Sequence, residues 1–560
     1  MFQIARNPSV YDVCIVGSGA AGGMAAKVLT EGGLNVVMLE AGPLLNPARD
    51  YTEHLWPYNL PHRGMGIGGR GYNADNSREF DVAHIASDIP GEPYSNAPGS
   101  AFRWTRARLL GGRTNHWNCV ALRFSDHDLR TRSLSGYGED WPVRYEDLAP
   151  YYDKVESLIG VYGSREGIPS APDGIFQPPP APRCSDLVVR RGCDKLSIPC
   201  IAGRAAIVTK PLNGRAACHY CAQCTQGCRS ASSFSSSQVL IPPALKTGRL
   251  KIIPNAMARQ VLKGPDGKAA GVSYVDKTTR REQRVRARAV WLGASACESA
   301  RLLLNSNGLA NGSGAVGRYL MESVATTVVG VFPELGRIPP HNHDGTGSVH
   351  VYIPWWKYGR RNEFNGGYHA EIFGGPAMPK AGMFRRVAQE QQGYGEALKQ
   401  RCKEFYGTTV QLLGRGEMIP NRASYCEIDR ANVDQWGIPV LRFHLEWSDN
   451  ERKMAQDMRT SFEEIVSAGG GNAISQRPHP EFGYLAPGGV AHEVGTVRMG
   501  ADRGTSVLNG FCQAHEVENL FVSDAACFTT APDKNPTLNI LALSWRSAEY
   551  LLDQAKKGEL

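Results

Sequence analysis

Four cysteines, Cys218, Cys221, Cys224 and Cys228, fall in one short glycine-containing run spaced C-x2-C-x2-C-x3-C, while the other ten of fourteen are scattered. Thiolates gathered on one loop can surround a metal centre, and the spacing favours an iron–sulfur cluster, [3Fe-4S] or [4Fe-4S]. Zinc more often uses two C-x2-C pairs far apart, and it stays open as the weaker alternative, as do disulfides or unligated thiols. A second chemical pattern opens the chain. Gly17, Gly19 and Gly22 follow a short apolar run, and Glu40 stands about twenty residues beyond them. Glycines so placed permit a tight turn, close approach of a pyrophosphate and tight packing of helix on strand. The helix N-terminus attracts the phosphates, and the acid bonds ribose hydroxyls. This pattern specifies a dinucleotide without separating FAD from NAD.

The elements around the glycines agree. Tyr11–Val16 reads as a strand, Met24–Leu29 as helix, and Leu34–Leu39 as a second strand ending at Glu40. Residues 44–100 lack periodicity and read as a surface excursion. Trp141–Gly160 reads as helix and Ile168–Arg183 as a proline-rich connector. Leu250–Ile253, Ala256–Leu262, Ala270–Val275 and Val285–Leu292 read as strands. Helical spacing returns around Asn450–Ala468 and over Asn535–Ala555. The fold class is therefore α/β, a Rossmann-type nucleotide-binding domain with a second α+β domain. The divisions are 1–160, 241–325 and 485–560 for the first domain, 184–240 for a cysteine-rich insert, and 326–484 for the second domain.

Distant motifs decide which dinucleotide. Arg108-Leu-Leu-Gly-Gly-Arg-Thr-Asn-His-Trp-Asn118 is a glycine turn leading into polar and aromatic side chains. Near the C-terminus stand His492-Glu-Val-Gly-Thr-Val-Arg-Met-Gly500, Asn519-Leu-Phe-Val-Ser-Asp524 and Asn535-Pro-Thr-Leu. Together they resemble the glucose–methanol–choline (GMC) family of flavin oxidoreductases. The likeness runs from Tyr11 to the last helix and is thinnest over 44–100 and 330–420. It implies bound FAD, with Gly111, Gly112, Asn115 and His116 beside the cofactor and Asp524 closing over it at the start of the last helix. It also implies that His492 is the catalytic histidine and that Asn535 binds the substrate hydroxyl. Histidine suits that task, since its pKa lies near neutrality and it can take the hydroxyl proton as hydride leaves the carbon. The Thr-Asn-His-Trp stretch is similar to that of pyranose oxidases, where the histidine carries the flavin covalently; covalent attachment at His116 and simple packing both stay open. Met321-Glu322-Ser323 departs from the family, which often has an Asp-His pair there, and no role is assigned to these residues.

The cysteine run also resembles the loop of bacterial GMC glucose and fructose dehydrogenases, C-x5-C-x3-C, which Cys218, Cys224 and Cys228 reproduce; Cys221 is extra, and Arg229 replaces the proline usual after a ferredoxin run. This implies a dehydrogenase that oxidises a ring hydroxyl of a sugar or glycoside, with C3 a candidate position, and passes electrons from FAD through the cluster to a cytochrome or other acceptor. It further implies a small partner subunit bearing an export signal, hence a periplasmic location with that partner and a cytoplasmic one otherwise. Two rivals stand beside this reading: an oxygen-using sugar oxidase of the pyranose-oxidase kind, and a flavin electron-transfer subunit without substrate chemistry.

Bulk properties exclude other classes. At 560 residues the chain exceeds one usual hydrophobic core. The +8 net charge is spread along the chain except at Arg280, Arg281, Arg284, Arg286 and Arg288, which read as a solvated strand edge and not a nucleic-acid patch. No run of about 18 apolar residues marks a membrane span, and Met1–Tyr11 lacks the pattern of a signal peptide. Tyr352, Trp355, Trp356, Tyr358 and Tyr368 fit either sugar-stacking walls or ordinary core.

Overall fold

A computed structural model of the chain describes residues 10–56, 59, 85–86, 89–338, 345–358, 362–375, 394–474 and 484–559. Its first half is organised by a seven-stranded sheet. Five parallel strands form the centre, in spatial order Leu250–Ile253, Val36–Leu39, Val10–Val16, Arg281–Leu292 and Leu520–Val522. Val13 to Val16 and Val36 to Leu39 are buried throughout, the continuous apolar signature of strands covered on both faces. The helix Ala20–Glu31 covers one face, and the last helix, Thr537–Lys557, packs beside it, with Leu552 against Gly32.

Strand Arg281–Leu292 begins earlier than the apolar run Val285–Leu292 suggests. Its N-terminal half pairs antiparallel with Ala269–Asp276, which in turn pairs with Ala256–Lys263. Arg281, Arg284, Arg286 and Arg288 are exposed along it while Val285 and Ala287 are buried. The basic run is thus the solvated face of a two-sided strand.

A six-stranded antiparallel sheet makes the second layer, in the order Asn472–Ile474, Thr327–Val331, Thr409–Gly416, Tyr368–Gly374, Val351–Ile353 and Ile201–Ala202. Helix Asp449–Ala468, opened by a Ser448–Glu451 capping box, lies across its back. Gly414 and Gly416 let that helix approach; a Cβ on either would meet Met458 or Met454 sulfur at 2.6 or 2.4 Å. The alternate residues of the same strand, Gln411, Leu413 and Arg415, consequently face the other way, into the cavity between the two sheets.

Tyr352, Trp355 and Tyr368 are buried in the core and Trp356 packs against it, whereas Tyr358 is exposed. Trp355 and Trp356 pack on Tyr368 with ring centroids 4.7 and 5.3 Å apart, and none of the five aromatics lines the main cavity. Most of the surface excursion expected over 44–100 lies outside the described residues.

Candidate active site

A cavity of about 730 Å3 runs from the first glycine turn to the C-terminal motifs. Its floor is the turn itself. Gly17 sits at φ +91°, and a Cβ there would meet Gly293 O at 2.4 Å; one on Gly22 would meet Gly17 O at 1.9 Å. Gly19 differs, because nothing lies within 4 Å of where its side chain would be. It fronts the cavity at the N-cap of helix Ala20–Glu31, where helix amides attract phosphate. Glu40 also lines the cavity. Its carboxylate accepts from Ser18 Oγ (2.5 Å) and Gly42 N (2.8 Å), and burial pushes its pKa up. The donor set and the open cradle at Gly19 fit the adenine dinucleotide half of FAD.

Of the second glycine turn, Gly112 and His116 line the cavity. Gly111 stands behind the wall, its N–H donating to Ser18 Oγ at 2.8 Å and so tying the two turns together. Asn115, expected beside the cofactor, is a clasp within the protein. Its Nδ2 donates to Leu110 O and Gly112 O, and its Oδ1 accepts from Tyr51 and Ser237 hydroxyls at 3.0 and 2.6 Å. Asp524 lines the cavity but caps a short 3-10 turn, Ala525–Cys527, and accepts from Ser295 N, Ser299 Oγ and Ala526 N. The expectation that it opens the last helix is corrected: that helix begins at Thr537, after Pro536. Burial raises the Asp524 carboxyl to about 6.

The chemistry gathers at the far end, where His492 and Asn535 line the same wall. The His492 ring faces Ser323, with Nδ1 to Oγ at 3.3 Å, and its backbone N–H donates to Glu322 Oε1 at 2.8 Å. Burial, aided by the nearby Arg415 charge, holds the imidazole pKa well below its ordinary value. The ring is held in its neutral form, and Ser323 engages it at Nδ1; the tautomer with the proton on Nδ1 leaves Nε2 to accept one. Asn535 Nδ2 donates to Glu371 Oε1 at 2.8 Å. Glu371 is held ionised below the carboxylate range, against the cost of burial, by Arg415, and lies 3.6 Å from His369 Nε2. An ionised carboxylate only accepts, so it fixes the amide with Nδ2 toward Glu371. Asn535 Oδ1 and Arg415 Nε and Nη1 are buried and have no hydrogen-bond partner among the described residues. One acceptor and two donors are therefore free beside the histidine.

Residues without an assigned role in the sequence complete this end. Ser323 and Glu322 lie in the segment that departs from the family motif. Arg113 pairs with Glu493 at 2.7 Å, which leaves Glu322 as the acid raised, by burial and then by Glu493, to about 8. Glu371 and Arg415 meet only through the pairing of two strands. The one sequence signal for them is charge within otherwise apolar strands.

The cysteine loop borders the cavity. Ala222 and Thr225, between the cysteines, line it together with His116, Trp117 and Asn118. Gly227 lies against the ring of Tyr51, whose edge meets His116 with centroids 6.4 Å apart. None of the fourteen cysteines is paired in a disulfide. Burial raises Cys218 to about 11 and pushes Cys224 well above the ordinary thiol value, with the charges of Cys119, Cys218 and Cys228 adding to the latter. Cys119, scattered in sequence, is thus a buried neighbour of the loop. No three loop sulfurs come within 4.8 Å of one another, whereas thiolates around one zinc ion at about 2.3 Å stand under about 4 Å apart.

The GMC oxidoreductase models match residues 11–325 (N-terminal) and 420–544 (C-terminal). The chain is 25% identical to a fructose dehydrogenase large subunit of Gluconobacter japonicus over 98% of both chains. It is 28% identical to a 2-methyl-1,2-propanediol dehydrogenase of Mycolicibacterium austroafricanum, covering 96% of this chain and 95% of that one. It is 26% identical to a C-glycoside 3-oxidase of Arthrobacter globiformis, covering 98% and 96%. In fold it is similar to a formate oxidase of Aspergillus oryzae, with a TM-score of 0.64 at 14% identity over 99% of this chain and 100% of that one. The chain belongs to the GMC oxidoreductase family, whose members bind FAD.

Proposed function

We propose that this enzyme is an FAD-dependent dehydrogenase that oxidises a ring hydroxyl of a sugar or glycoside to a ketone and passes electrons to an external acceptor through an iron–sulfur cluster on the cysteine loop. One observation carries the reading: Ala222 and Thr225 of that loop share a cavity wall with His492 and Asn535. A cysteine loop that borders the cavity holding His492 and Asn535 supports electron exit along it.

The residues divide the work. Neutral His492 takes the hydroxyl proton at Nε2, with Ser323 holding the ring. Asn535 Nδ2 has a second hydrogen for the reacting oxygen. Its Oδ1 then accepts from a neighbouring hydroxyl, and Arg415 donates to further oxygens. Such a set suits a polyol with adjacent hydroxyls better than a simple alcohol, and relatives named fructose dehydrogenase and C-glycoside 3-oxidase support the sugar class. When bound, FAD supplies the hydride acceptor. Cys218, Cys224 and Cys228, with Cys221 as the fourth candidate, would hold the cluster, which supplies one-electron transfer. The relative named a large subunit supports a smaller partner subunit, and export to the periplasm together with such a partner is the setting proposed.

The test combines spectra and turnover. Iron by elemental analysis, with broad visible absorbance beyond the flavin bands, is expected, and Cys224→Ser should lose both while keeping FAD. A screen of sugars and glycosides with an artificial acceptor should find turnover and a ketone product. A plain flavin spectrum with fast peroxide release would replace this reading with the oxidase one, which the relative named an oxidase favours.

A further inference from the structure

Beside the cysteine loop, on its exposed side, lies a second group of ligand-bearing residues. The ring nitrogens of His54 and His219 and the sulfur of Cys221 all lie within 4.8 Å of one another. His54 and His219 are exposed, and Cys221 is half-buried. The two Nε2 atoms are 3.2 Å apart, with ring centroids at 5.3 Å. A hydrogen bond between two imidazoles would account for that pair alone, but not for the thiol that closes the triangle.

The scaffold holds the three in place. His54 comes from a segment 165 residues from His219. That segment is pinned to the loop by His54 N to Gln223 Oε1 (2.6 Å), Thr52 N to Gln226 O (3.0 Å) and Arg229 N to Glu53 Oε1 (2.7 Å). His54, Tyr220 and Ala222 all adopt left-handed backbone, at φ 69°, 57° and 57°. For non-glycine residues that conformation is strained and persists only where surrounding contacts impose it. Ala222 N donates to Gly345 O at 3.0 Å, fixing the residue after Cys221.

The 3.2 Å between the two Nε2 atoms matches a single ion, and the sulfur stands within 4.8 Å of both imidazoles' ligand atoms. With metal–nitrogen bonds of about 2.0–2.1 Å and a metal–sulfur bond of about 2.3 Å, tetrahedral ligands stand about 3.3 Å apart, N to N, and about 3.6 Å, N to S. We infer that His54, His219 and Cys221 form a site for a late first-row divalent ion of the zinc class, separate from the cluster, with its fourth position open to water. Two imidazoles and one thiolate form a borderline-soft donor set that selects such ions over magnesium or calcium. The ion joins the Tyr51 segment to the cysteine loop. Because Tyr51 packs on Gly227 and meets His116, it braces the wall between the loop and the cavity. The site uses Cys221 and leaves Cys218, Cys224 and Cys228 for the cluster, and it does not depend on that cluster being present.

The probe is Co2+ added to the flavin-loaded enzyme after dialysis against a mild chelator, read by its d–d and thiolate-to-metal absorption and by metal analysis. Wild type should bind one Co2+ per chain with a thiolate charge-transfer band. Cys221→Ser should lose that band. His54→Ala/His219→Ala should weaken binding by more than the roughly 10–100-fold that loss of an outer-shell partner costs. The histidine variants should keep wild-type flavin and iron content, and Cys221→Ser its flavin, which also reports that they fold; the exposed His219→Ala alone provides a mild second variant, expected to weaken binding without altering either content. If Cys221→Ser loses iron while Co2+ uptake persists, Cys221 serves the cluster and the inference fails. Uptake only at millimolar Co2+, or uptake indifferent to both histidines, also overturns it. A wild type without iron that still binds Co2+ through Cys221 would sink the cluster reading and leave this site standing.

Discussion

Ser323 Oγ and His492 Nδ1 face each other at 3.3 Å across 169 residues of sequence. In the proposed mechanism, Nδ1–H turned to Ser323 leaves Nε2 for the substrate, which would make Ser323 a positioning residue and His492 the proton acceptor. His492→Ala should slow flavin reduction by substrate by about 10^2–10^4-fold, the usual worth of a general base. Ser323→Ala should slow it by only about fivefold, in line with about 1 kcal/mol for one hydrogen bond, with KM little changed. Stopped-flow reduction of the flavin measures both. If Ser323→Ala matches wild type, the hydroxyl does not orient the ring.

The low imidazole pKa has a kinetic consequence. A protonated His492 cannot accept a proton, so flavin reduction falls as pH drops through its pKa. Burial, and then the Arg415 charge, move that pKa down, so the acidic limb should lie below the ordinary histidine value of about 6.5. Removing the cation in Arg415→Met should move the limb upward. A pH profile of the reduction rate constant at saturating substrate checks the sign in both proteins; a limb at or above the ordinary value in wild type would contradict it.

Glu322 makes an opposite, thermodynamic prediction. Its carboxyl is raised to about 8 by burial and by Glu493, so the folded state holds a proton that the unfolded chain releases near pH 4.5. The stability this contributes is complete below the unfolded value and is lost as pH rises through about 8. Glu322→Gln keeps an oxygen for the His492 N–H and has no proton to lose. Denaturation from pH 5 to pH 9 should show wild type losing on the order of 2 kcal/mol or more relative to the variant. A constant difference across that range would mean that Glu322 titrates normally.

Sequence made the cofactor end legible because its determinants are local. Gly17 to Gly22 and Glu40 span one strand–turn–helix–strand unit, and turn chemistry fixes their geometry. The motif around His492 and Asn535 was legible only through resemblance. Asn115 lies within the second glycine-turn motif, and its side-chain bonds turn inward to Leu110, Gly112, Tyr51 and Ser237, which no local pattern announces. Arg415 and Glu371 were invisible because they meet through strand register, Glu371 opposite Leu413 and His369 opposite Arg415. No local pattern encodes that pairing. Tyr352 and Trp355 illustrate the reverse case, since a core aromatic and a sugar-stacking one read alike until packing separates them.

The glycines of the first turn offer a way to separate cofactor binding from folding. Gly22 is enclosed: a Cβ would sit 1.9 Å from Gly17 O and 3.1 Å from the Ile15 side chain. Both neighbours belong to the buried strand and turn, which cannot yield without disturbing the central sheet. Gly22→Ala should therefore destabilise the protein itself, by on the order of 1–3 kcal/mol as for other overpacked cores, with or without flavin. Gly19 is open: its Cβ would meet nothing within 4 Å and would project where the helix N-terminus fronts the cavity. Gly19→Ala should leave the apoprotein as stable as wild type, because the turn accepts the methyl. Its FAD affinity should fall by at least about tenfold, since the methyl occupies space the pyrophosphate needs and holds it off the helix amides. Thermal unfolding of apoproteins, paired with flavin titration by fluorescence quenching, reads the two effects separately. If Gly19→Ala binds FAD as wild type does, the pyrophosphate does not rest on this turn, and the cradle assigned to Gly17–Gly22 is wrong.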